Sequence, residues 1–139
     1  MTINQIVSQI TSYGTNHPQI STVLFGDFAD KLDDSDIVYP AMFFDLDSAQ
    51  FLAKQLSYTF SIYLLDRHLV ETNALEVISD MALVGEDMVA RLRTPSNTWI
   101  TDDTINMDFF IEAEPDYLAG VRLIATITLP SLNNRCQIP

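Results

Sequence analysis

Side chains able to do chemistry are few in this sequence and poorly spaced for it. His17 stands before a proline in a turn-like segment, and His68 follows a strand-like run. Neither falls in the HExxH or HxH spacing that brings two imidazoles to one metal. Both read as exposed loop residues without a role. The single Cys136 has no partner for an internal disulfide or a thiolate metal site, which agrees with a reducing compartment. Asp33, Asp34 and Asp36 crowd three carboxylates together. A calcium loop of the EF-hand type also needs a glycine at its sixth position and a glutamate at its twelfth, and neither is there. Carboxylate pairs for glycoside chemistry lack an accompanying cluster of substrate-stacking aromatics. With only four glycines, no phosphate-cradling GxxxxGK[ST] or GxGxxG loop occurs. No catalytic, cofactor-binding or metal residue is therefore assigned, and neither an enzymatic activity nor a small-molecule substrate is expected.

The chain has 139 residues, about one domain, and is 47% hydrophobic, enough to form a core. Nineteen acids against seven bases give a net charge of -12, which repels phosphate and disfavours tight nucleic-acid binding. No stretch reaches the ~18 consecutive apolar residues of a membrane span, and the N-terminus lacks a signal-peptide pattern. The expectation is a protein made and kept in a cytoplasm, with no membrane partner.

Periodicity supplies the elements that position these residues. Thr2 and Gln5 have capping-box form, and Ile3, Ile6, Val7, Ile10 and Tyr13 predict an amphipathic helix ahead of Gly14. Residues 20–25 suggest an edge strand, and 26–36 an exposed acidic loop. Ala41 to Leu46 alternates as a core strand, followed by a linker over 47–54. Leu56 to Leu65 alternates most clearly of all, with Tyr58, Phe60, Ile62 and Leu64 on one face. Asn73 with Glu76 predicts a second helix to about Arg93, with Leu75, Ile78, Met81, Ala82, Gly85, Met88, Val89 and Leu92 along its buried side. A short strand around Trp99, a long one over 105–113 and another over 121–129 complete a terminal hairpin, with Gly120 in its turn. Residues 131–139 are polar and without periodicity, and read as a C-terminal arm.

The whole is a single α+β domain over residues 1–139, with two helices packed on one face of a mainly antiparallel sheet. A sheet that is not closed into a barrel must protect or pair its outer strands, and identical neighbours in a ring do this.

The order helix, strands, helix, strands resembles the tail-terminator, tail-completion and head-tail connector proteins of tailed bacteriophages. The similarity rests on His17 and Pro18 after the first helix, DIVYPAMFFD at 36–45, YTFSIYLLDR at 58–67 and the long helix from Asn73. It extends through TINMDFFIEAEPDYLAGVRLIATITLP at 104–130, with an Ala119, Gly120, Val121 turn. The resemblance implies a non-enzymatic virion protein without cofactors, made in the bacterial host cytoplasm. Such proteins form homo-oligomeric rings in the phage neck or tail, of six copies or, in connector rings such as those of crAss-like phages, twelve. They join other neck, tail or portal-complex proteins, and phage DNA passes through them without sequence-specific binding. In that setting Asp30, Asp33, Asp34 and Asp36 are candidates for channel-facing or interface acids, since a conduit should not hold phosphates. Asn133, Asn134, Arg135, Gln137 and Ile138 are candidates for an inter-subunit arm. The competing expectation is a small monomeric or dimeric α+β binding or regulatory domain of a cellular protein.

Overall fold

Thr2 starts the first helix, α1 (Ile3–Thr15), with a complete capping box: its hydroxyl accepts from the Gln5 amide at 3.3 Å, and the Gln5 side chain accepts from the Thr2 amide at 2.8 Å. The computed structural model describes residues 2–26, 37–53, 55–67, 74–94, 99–111 and 118–130. After α1 come β1 (Thr22–Phe25), β2 (Ala41–Leu52), β3 (Gln55–Arg67) and a second helix, α2 (Ala74–Leu92). The chain ends in β4 (Ile100–Thr101), β5 (Asn106–Ile111) and β6 (Leu118–Pro130). The result is the expected α+β domain, with two helices and one six-stranded, mostly antiparallel sheet among the described residues.

Strand order is β1-β2-β3-β6, after which β4 and β5 share the outer side of β6. All pairs are antiparallel except β1 with β2, where Thr22 lies opposite Ala41. The long connection over 26–40 allows that parallel pairing, which a tight turn cannot. The long partners are β3 and β6, in unbroken register from Gln55 opposite Pro130 to Arg67 opposite Leu118.

The period of two sends Tyr58, Phe60, Ile62 and Leu64 of β3, with Val121, Leu123, Ala125, Ile127 and Leu129 of β6, to the side covered by α1 and α2. There they pack with Ile6, Ile10, Met42, Phe44, Met81, Val84, Met88 and Leu92. Each such side chain, fully buried, contributes roughly 1.5–3 kcal/mol of transfer free energy. On the other side of the sheet a smaller cluster of Ile37, Ala41, Phe43, Leu65 and Leu118 closes one end only.

Several expectations change. Gly14 lies inside α1 and does not end it, because the helix crosses the sheet so closely there that a Cβ would sit 2.7 Å from Met42 Sδ and 2.8 Å from Val23 Cγ2. The expected 47–54 linker is largely strand: β2 runs on to Leu52 through a bulge at Asp47, between Leu46 and Ser48. The buried stripe of α2 is rotated toward Ala74, Val77 and Val84, leaving Leu75 exposed. An α2 that is apolar around more than half its circumference offers two overlapping stripes, and packing chooses between them. The short strand expected around Trp99 is Ile100–Thr101, with Trp99 just ahead of it. Gly120 is not in a turn: it sits within β6, opposite Leu65 on one side and Phe110 on the other.

Candidate interaction surfaces

The four acids Asp30, Asp33, Asp34 and Asp36, the arm residues Asn133, Asn134, Arg135, Gln137 and Ile138, and also His68, Asn73 and Cys136, lie outside the described residues. Among the described residues no group of three or more His, Cys, Asp and Glu is placed to hold a metal.

His17 departs from its expected exposure. Its side chain is only 12% exposed, and its Nε2 lies 2.9 Å from Asp87 Oδ2 of α2. Its Nδ1 accepts the Gln19 amide at 3.1 Å, so the proton is on Nε2, which donates to Asp87. With both ring nitrogens engaged, no lone pair is left to act as a base or ligand; the ring braces the α1–β1 turn against α2. The cleft beside it, about 450 Å³, is lined by His17, Pro18, Gln19, Asp87, Ala90 and Arg91.

A different constellation occupies the sheet face turned away from the helices. Register places Ser57 opposite Thr128 and Thr59 opposite Thr126, and their hydroxyls hydrogen-bond across the strands at 3.0 and 3.2 Å. One step further along, Ser61 is 1% exposed and joins two charges. Its Oγ accepts from Arg122 Nη2 at 2.9 Å and donates to the Asp47 carboxylate. Asp47 falls on this face by the alternation of Ala41, Phe43 and Asp45 along β2, at the bulge between Leu46 and Ser48. Arg122 Nη2 also lies 3.9 Å from Asp47, and the guanidinium sits 5.7 Å from the Tyr63 ring centre. Tyr63 in turn meets Phe110 edge-on at 6.4 Å.

Among the described residues this face carries hydroxyls paired across the strands, Arg122 matched by the Asp47 carboxylate, and Arg67 over the Tyr39 ring at 5.1 Å. Alternation along β3 and β6 already put Thr59, Ser61, Arg122 and Thr126 on one side; their pairing depends on the β3–β6 register, and the role of Asp47 on β2 continuing past Leu46, where the sequence suggested a linker. Removing the bridging hydroxyl in Ser61→Ala leaves Asp47 and Arg122 poorly joined. The expected loss is about 1–2 kcal/mol in urea unfolding; an unchanged midpoint would show that water replaces the hydroxyl at no cost.

The sheet edges are the other surfaces open to partners. Phe109 and Ile111 of β5 oppose Val121 and Ala119, on the helix side of the sheet, and are 59% and 57% exposed. At the opposite edge lies β1, with the exposed Phe25 ring tilted 55° against Phe44 at 5.0 Å between ring centres. No helix is long and apolar enough to cross a membrane among the described residues. Neither a family model nor a curated protein matches this chain, so its role is argued from the surfaces just described.

Proposed function

We propose that this chain is a non-enzymatic structural subunit of a homo-oligomeric ring in the neck or tail of a tailed bacteriophage, a tail terminator or head-tail connector surrounding the DNA channel. What supports the reading most is a six-stranded sheet that, among the described residues, has unclosed edges at both ends and both helices on one face, in the order helix, strands, helix, strands. Open edges favour association, and subunits joined head to tail close into rings. A net charge of -12 suits a conduit past which DNA slides without being held. In this reading Asp30, Asp33, Asp34 and Asp36 contribute to the channel's negative field, and residues 131–139 reach a neighbouring subunit.

The test is the mass and shape of the purified full-length chain. Light scattering and electron microscopy, taken to millimolar concentration, should find closed rings of six or twelve 15.7 kDa chains. A chain that stays monomeric or stops at a dimer at every concentration overturns the ring and favours the cellular binding domain.

A further inference from the structure

Beyond Phe44 the outer side of β2 changes character. β1 pairs with β2 only from Ala41 to Phe44, and the Gly26 amide makes the last bond, to the Phe44 carbonyl at 3.1 Å. Gly26 then takes φ 131°, a left-handed backbone that ends the strand. β2 runs twelve residues, so 45–52 continue past β1, and among the described residues no strand lies along their outer side. Residues 47–51 are all exposed, Phe51 to 76%.

Register shows where the backbone groups of this stretch point. Phe44 turns its carbonyl outward to Gly26, so Asp45, one residue on, bonds inward to Ser61. Past the bulge, Ser48 opposite Thr59 and Gln50 opposite Ser57 bond inward as well. The amides and carbonyls of Ala49 and Phe51 therefore point away from β3, an open template for one more strand.

We infer that residues 131–139 of a second copy add to this edge as a strand, along 45–52 of β2. The inference rests on the ring reading for its setting and names the contact that joins one subunit to the next. Length fits: eight edge residues span about 26 Å, and nine extended residues about 30 Å. Charge fits too, since β2 carries Asp45 and Asp47 and no base, whereas 131–139 holds Arg135 and no acid. The segment is too short and broken by Asn134 to announce a strand alone. Laid extended, it puts Leu132, Cys136 and Ile138 on one side, to meet Ala49 and Phe51, and Asn133, Arg135 and Gln137 on the other. Reach favours another copy over the same chain. β6 ends at Pro130 opposite Gln55, and β3 and β2 both lie between it and the open edge. Crossing three strand spacings, about 14 Å, consumes about half the segment before pairing begins.

The chain's one cysteine lies in the segment and supplies the probe. Full-length Ala49→Cys and Phe51→Cys, oxidised with copper phenanthroline, should join the thiol introduced on β2 of one copy to Cys136 of the next. Such links repeat, so non-reducing gels should show ladders of three or more chains, whereas the wild type, with one thiol per chain, links at most two. Peptide mapping identifies the joined pair, and adding Cys136→Ser should end the ladder at dimers. Ala49→Pro removes an outward amide, which an edge strand accepts, and should weaken assembly about 10-fold in concentration at an unchanged melting temperature. If neither position links to Cys136, if the links stay within single chains, or if Ala49→Pro assembles like the wild type, the inference is overturned while wild-type rings stand. If the link forms between copies yet no ring closes, the strand addition stands and the ring reading fails.

Discussion

Replacing Gly120 with alanine should cost about 3 kcal/mol or more, a large share of the ~5–15 kcal/mol by which a domain is ordinarily stable. A Cβ at this position would collide with the backbone carbonyl oxygen of Leu64 on β3. Backbone cannot rotate aside as a side chain can, so the strands must separate. The strand affected, β6, pairs with β3 on one side and with β4 and β5 on the other, which makes it the joint between the two halves of the sheet. Gly14 offers the contrast, since a Cβ there meets only the Met42 sulfur and the Val23 methyls, which can shift. Guanidinium unfolding of Gly120→Ala beside Gly14→Ala measures the difference. Equal losses would mean that β3 and β6 yield as readily as two side chains do.

Trp99→Ala is expected to lose about 3–5 kcal/mol, the range for emptying a buried large aromatic site. Trp99 is 5% exposed and holds three things together. Its Nε1 donates to the Leu92 carbonyl at 3.1 Å, satisfying the last turn of α2. Its ring meets Tyr13 of α1 edge-on at 6.5 Å, tying the first helix to the end of the second. It also belongs to the core with Tyr58 and Leu129. Trp99→Phe separates these contributions: an aromatic ring remains, and the Leu92 carbonyl still accepts the Thr101 hydroxyl at 2.8 Å, so this variant should lose only about 1 kcal/mol. Urea titrations followed by circular dichroism distinguish the two. A Trp99→Ala protein with wild-type stability would remove Trp99 from the account of how the helices are anchored.

The ranking of these effects bears on function through the sheet. The proposed ring needs a rigid sheet, and the β3–β6 joint holds its two halves together. Gly120 and Trp99 are accordingly structural in effect. The candidate surfaces were only partly legible beforehand. Acids and polar termini drew attention to 30–36 and 131–139, where charge and composition stand out.

Local rules by themselves determined the helix and strand character of most of the chain. Capping at Thr2, alternation over Tyr58–Leu64 and over Val121–Leu129, and the helical repeat after Ala74 are short-range consequences of side-chain geometry and need no partner to be read. They also determined the α+β class and which side of β3 and β6 is apolar. Tertiary structure decided what depends on contact between distant segments. It chose the stripe of α2 that is buried, carried β2 through a bulge at Asp47 and joined β1 in parallel. It placed Gly120 within a strand and drew His17 onto Asp87. Each is a choice among locally equivalent states, settled by close packing and by register across the sheet, energies that exist only once residues far apart in the chain have met.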